Sequence, residues 1–269
     1  MSAYGRLSAV WRRVPDDIGE RLEEICNRHR GARLFFRADD IAIPSRRQDR
    51  LLALFVRHQT PLCAAIVPVW LTADRWRRIC AVVGDRHDLF AWHQHGFSHR
   101  NHQREGKKQE FGPDLDPAKK RRQIARGRQR LAAILGERFL PVFTPPWNRL
   151  DPETLDILRA EGFLAISRYR GDRLAAPPGL PDLACNVDLH TRREESCTEG
   201  WTALLSELDQ AMAGGLAGLM LHHNRMNEAA FGFLDLLLPL LQQSGIGLCH
   251  YRQLLEGLRG QPQAGIDFF

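Results

Sequence analysis

Apolar positions along this chain alternate between short unbroken runs and longer stretches in which they recur every three or four residues. The first pattern fits strands buried on both faces, and the second fits helices with one apolar stripe. Residues 1–30 read as a polar helical lead-in with Ile18, Leu22, Ile25 and Cys26 on one face. Residues 32–40 (ARLFFRADD) read as a buried strand ending in two acids. A helix follows over 45–59, opened by Ser45 and carrying Leu51, Leu52, Leu54 and Phe55 at helical spacing. The alternation continues with strand 62–67, helix 72–83, strand 89–92 and, after a charged loop, helix 117–135 stopped by Gly136. Strand 139–143, a helix capped by Asp151-Pro152 and strand 164–167 come next, then a Pro-rich connection. A weak strand over 183–189, a helix over 200–213 and a strand over 218–221 follow. Asn227 caps an apolar helix that Pro239 interrupts, and a strand over 246–249 leads to a terminal helix.

A strand–helix unit repeated about seven times implies an α/β fold of parallel strands with helices outside, as an open sheet or a closed barrel. With 269 residues, no fixed-period repeat and no linker long enough to divide it, the chain is expected to be one catalytic domain over 1–269. Composition changes little: 43% hydrophobic and 26% charged residues are ordinary for a globular protein. No apolar run reaches membrane-spanning length, and the first residues lack the apolar segment of a signal peptide. The six cysteines are scattered without paired spacing, which fits a reducing, cytoplasmic setting better than a zinc ribbon or a disulfide framework. The net charge of +6 is mostly arginine spread beside helical patterns, so solvated faces explain it better than a nucleic-acid partner. The four lysines (Lys107, Lys108, Lys119 and Lys120) share one stretch, which would suit an anionic substrate or membrane surface.

The chemistry-bearing residues fall at strand ends. Four of the 11 histidines (His93, His95, His99 and His102) lie within ten residues after the strand at 89–92. Asp39-Asp40, Trp147 and His222-His223 also end strands, and in a parallel α/β barrel such ends converge on one rim. Two imidazoles and one carboxylate form a common catalytic zinc set, and His95 and His99 are spaced for one face of a turn. Neighbours on a strand point to opposite faces, so Asp39 and Asp40 are expected to differ in role.

In chain order these residues resemble the polysaccharide deacetylases (carbohydrate esterase family 4). Arg37-Ala38-Asp39-Asp40 resembles the first family motif, His95-Gly96-Phe97-Ser98-His99 the second, with Gly96 at its hydroxyl position, and Thr144-Pro145-Pro146-Trp147 the third. Leu221-His222-His223 or Met220-Leu221-His222 resembles the fifth. The resemblance spans 32–255 and implies a distorted (β/α) barrel of about seven strands. It implies Asp39 as general base, Asp40, His95 and His99 as ligands of a divalent metal, and His222 or His223 as general acid. Zinc is the expected metal, with cobalt, nickel, iron or manganese as alternatives. The resemblance also puts Asp188 behind the acid and the Trp147 N–H at the oxyanion. Pro146, Thr144 and Trp92 are expected to line the substrate. Thr144 stands where the third motif has an arginine that holds the base, and Arg37 or Arg149 is expected to replace it. The implied reaction is removal of an acetyl group from an N-acetylated sugar or glycan, one that is anionic or lipid-linked. An O-acetyl ester, a formamide or another amide remains open as substrate, as does a catalytically dead, glycan-binding barrel.

Overall fold

A computed structural model describes residues 7–171 and 174–259. Residues 1–6 of the expected lead-in lie outside the described residues. The rest of the lead-in is a short 3-10 turn at Ala9–Arg12 and helix α1, Ile18–Arg28. The strands are β1 (Arg33–Ile41), β2 (Leu62–Ile66), β3 (Phe90–His95), β4 (Phe139–Thr144), β5 (Ala165–Ile166), β6 (Val187–Asp188), β7 (Leu216–Leu221) and β8 (Gly247–Leu248). They order as β5-β4-β3-β2-β1-β7-β6, and every pairing is parallel. β8 pairs only with Arg33 and Leu34 at the start of β1. Isolated parallel bridges, Ile166 to Asp182 and Tyr169 to Cys185, join the β5 side to the segment entering β6. The seven strands thus curl into a half-barrel whose seam is irregular, a distorted (β/α) barrel.

β5 and β6 are shorter than their apolar runs suggest. Pro177, Pro178 and Pro181 lie in the connection and cannot donate to a ladder. Helices cover the outside: α2 (Arg46–Arg57), α3 (Ala73–Val83), α4 (Pro117–Leu135), α5 (Pro152–Ala160), α6 (Cys197–Ala213), α7 (Glu228–Gln243) and α8 (Tyr251–Arg259). Their starts follow local chemistry. The side chains of Ser45, Thr72, Asp116, Asp151 and Asn227 each accept the backbone N–H three residues on, and Ser196 with Glu199 closes a capping box. Pro239 lies inside a continuous α7 instead of interrupting it. That helix buries Phe231, Phe233, Leu234, Leu237, Leu238 and Leu241, and this packing outweighs the lost backbone bond.

Side chains alternate across β1 as strand geometry requires. Leu34, Phe36 and Ala38 join the core beneath the helices, whereas Phe35 packs inside the barrel against Tyr251. Arg37 and Asp39, in phase with Phe35, face the interior.

Candidate active site

Four strand ends build the site. On β1 the register slips between Ala38 and Ile41, and Asp40 takes φ 64°. This bulge overrides strict alternation and brings Asp40 to the same mouth as Asp39. On β3, Trp92 packs outward among the helices while His93 and His95 face inward. The chain then turns through Gly96 (φ 57°) and His99 (φ 56°). At the end of β4, Trp147 and Asn148 have φ 57° and 58°. Four of the five described non-glycine residues with positive φ are therefore site residues, each at a cost of about 1–3 kcal/mol that the surrounding fold must sustain.

One Asp40 oxygen lies 3.3 Å from His99 Nε2 and 3.5 Å from His95 Nε2. The three ligand atoms lie within 4.8 Å of one another. His95 Nδ1 is 3.0 Å from the Thr144 carbonyl, a contact only an N–H can make, so in the neutral ring Nε2 presents a lone pair. The Asp40 oxygen is buried without a hydrogen-bond partner. Two imidazole nitrogens and an orphaned carboxylate oxygen at one point fit a divalent cation.

Behind this group, Arg37 is fully buried and grips Asp39 with two bonds, Nε to Oδ1 at 2.8 Å and Nη2 to Oδ2 at 3.0 Å. Its remaining N–H groups reach the Ser167 carbonyl and hydroxyl and, at 2.6 Å, Asn148 Oδ1. Burial resists ionisation of Asp39, but the charges of Arg37, His95 and His222 outweigh it and hold the carboxyl below its usual range. His222 Nε2 stands 3.8 Å from Asp39 Oδ2. His223, by contrast, is buried, and desolvation pulls its pKa down to about 4.

The histidine loop is pinned by Glu110. Its buried carboxylate accepts the N–H groups of Phe97 and Ser98 and the Ser98 hydroxyl, at 2.7–3.0 Å. A Cβ at Gly96 would overlap that carboxylate and come within 2.5 Å of the Pro146 ring. This explains glycine at the hydroxyl position of the motif. Gly96→Ser is expected to lose about 1–3 kcal/mol of stability and to weaken metal affinity. Urea unfolding and metal titration would check it, and unchanged values in both would refute the packing account.

No family model matches the chain, and no curated protein matches it. Solved structures do. One described as a polysaccharide deacetylase, from Mycobacterium smegmatis, aligns at TM-score 0.55 and 15% identity over 81% of this chain and 79% of that one. The Bc1960 peptidoglycan N-acetylglucosamine deacetylase aligns at TM-score 0.54 and 14% identity over 85% and 90%. A family 4 pseudoenzyme from Bacillus anthracis aligns at 0.53 and 14% over 83% and 65%. The chain has the polysaccharide deacetylase fold.

Within that fold several expected residues lie elsewhere. Arg149 hydrogen-bonds the Lys108 carbonyl at the surface, so Arg37 is the arginine that meets Asp39. Thr144 faces inward but is taken up by His93, whose Nε2 is 2.9 Å from its hydroxyl. Trp92 is fully buried, stacked on Phe90 and edge-on to Trp76, and lines no substrate path. The aromatics beside the ligands are Trp147 and Trp70, at 4.6 and 5.6 Å from the His99 ring. Asp188 spends its carboxylate on its own loop, accepting the His190 and Thr191 N–H groups and the Thr191 hydroxyl, and makes no recorded bond to His222. Instead His190, buried and packed on Trp11, accepts the His222 backbone N–H. Pro146 is buried in the 3-10 turn that carries Trp147. Sequence reading missed Glu110, Asn148, Trp70 and Ser167. Only Trp70, an aromatic after a strand end, left a usable signal.

Proposed function

We propose that the protein is a metal-dependent hydrolase that removes an acyl group, acetyl first, from an N-acylated amino sugar. The convergence of Asp40, His95 and His99 beside an arginine-clamped Asp39 carries this reading. Asp40, His95 and His99 would hold the cation, and two imidazoles with one carboxylate favour zinc. Such a cation supplies Lewis-acid polarisation of a carbonyl and lowers the pKa of water.

The chain's own groups divide the remaining work. Asp39, ionised and fixed by Arg37, accepts the proton of the attacking water. The Trp147 backbone N–H, presented by the positive φ of that residue, donates to the developing oxyanion. His222 protonates the leaving nitrogen as the C–N bond breaks, giving acetate and a free amine. Its short separation from Asp39 supports an acid and a base on two sides of one small space. Trp70 and Trp147 offer apolar faces to the sugar.

The test is acetate and formate release from a panel of acylated amino sugars and acetyl esters by zinc- or cobalt-loaded protein, alongside metal analysis. Wild type is expected to bind one equivalent and to release acetate. His95→Ala and His99→Ala are expected to lose the metal together with activity. Formate release alone would make the substrate a formamide. Metal binding with equal acyl release by wild type and Asp39→Asn on every substrate would leave a glycan-binding barrel instead.

A further inference from the structure

The rim around this site is both apolar and cationic. Val69 and Ile43, 46% and 43% exposed, are the two most exposed large hydrophobic residues described. Both belong to the mouth. β1 and β2 pair at Ile41 and Ile66, and the Val67 N–H reaches the Ile41 carbonyl, so Ile43 and Val69 leave adjacent strands side by side. The Val69 N–H bonds the Phe97 carbonyl inside the histidine loop, and the next residue, Trp70, packs on His99. Apolar surface therefore runs from solvent to the candidate ligands.

Cations flank it on both sides. Arg46 and Arg47 are exposed at the start of α2, three and four residues after Ile43. Arg100, Arg104, Lys107 and Lys108 are exposed on the loop that begins at His99. None of these six forms an ion pair with a described residue. The exposed acids of that loop region are Glu105, Asp114 and, at the cap of α4, Asp116, so the positive charge prevails around the mouth. Core packing explains none of these basic side chains. Arg47 donates one N–H to the Asn224 carbonyl and keeps its charge unneutralised. Cations without ion-pair partners around exposed aliphatic groups match an interface of phosphates over apolar chains.

We propose that this rim docks on an anionic lipid surface, and that the acylamino sugar hydrolysed is joined through a phosphate to an apolar chain. The substrate half rests on the hydrolase reading; the docking half does not. The apolar chain lies along Ile43 and Val69, the phosphate meets Arg47 or the loop cations, and the sugar reaches the ligands past Trp70.

Full-length protein is floated with vesicles of phosphatidylcholine alone and of phosphatidylcholine with phosphatidylglycerol. Binding is expected only to the anionic vesicles. It should weaken at least about tenfold in Ile43→Glu/Val69→Glu, and at least about a hundredfold in Arg100→Glu/Lys107→Glu/Lys108→Glu. These positions are exposed, and an unchanged unfolding temperature shows that each variant folds. Competition with a soluble nucleoside-diphosphate acylamino sugar separates the sources of phosphate. Saturable binding of that compound with no vesicle association overturns the proposal, as does vesicle binding that ignores both variants. Because vesicle binding is read without turnover, a protein that docks but releases no acyl group overturns the hydrolase reading and the substrate half with it, and leaves the docking half standing.

Discussion

Asp39→Asn is expected to lower the rate of acyl release by about 10³-fold while metal content stays at the wild-type value. The amide keeps the shape of the carboxylate but cannot accept the proton of the attacking water. The three ligand side chains are untouched, since Asp40 is a separate residue turned toward His95 and His99 by the β1 bulge. The amide oxygen can still accept a bond from Arg37 Nε, so the variant remains folded, though weakened. Activity with the best acylated sugar and metal analysis of the same preparation make the measurement. A rate within about tenfold of wild type would remove Asp39 from the chemistry.

Arg37→Met is expected to destabilise the protein by about 3–5 kcal/mol. Removal of the guanidinium leaves the Asp39 carboxylate buried without its bidentate partner and strips donors from Ser167 and Asn148. A carboxylate so stranded costs far more than the pair contributes, because its desolvation is no longer offset. Arg149→Met is the control. That side chain is at the surface and bonds only the Lys108 carbonyl, so its change is expected within about 0.5 kcal/mol. Urea unfolding of both variants decides the matter. Equal effects would mean that Arg37 does not hold the base. The double variant Arg37→Met/Asp39→Asn is expected to be more stable than Arg37→Met alone, since the stranded charge is gone.

The candidate site was partly legible because the group of Asp40, His95 and His99 is local. Asp39-Asp40 and His95-x-x-x-His99 are short patterns at the ends of apolar runs, and a strand end fixes where such residues go. The half that holds Asp39 was not legible in the same way. Arg37 lies within β1, Asn148 just past β4 and Ser167 just past β5, and they meet only when the barrel curls. In sequence, Arg37 and Arg149 are equal candidates for the arginine beside Asp39, and only the curl of the sheet separates them. Glu110 is one acid in a charged loop, and nothing marks it as the anchor of Phe97, Ser98 and Arg100 until the loop folds over it. Trp92 and Trp70 were interchangeable as aromatics near strand ends. Their faces differ because Trp92 lies within β3, where alternation sends it outward, and Trp70 lies just past β2, where the chain has turned onto the rim.

By itself the sequence determined the strand–helix order, the starts of most helices and which residues stand at strand ends. Periodicity, caps and turn residues act over a few positions, so a linear reading captures them. Tertiary structure alone decided which arginine clamps Asp39, that Asp188 serves its own loop, and that the seam between β5 and β6 is irregular. It also turned Asp40 into the mouth against strand alternation, through a bulge and a positive φ. These outcomes depend on contacts between residues far apart in the chain, whose geometry exists only once the sheet has closed around them.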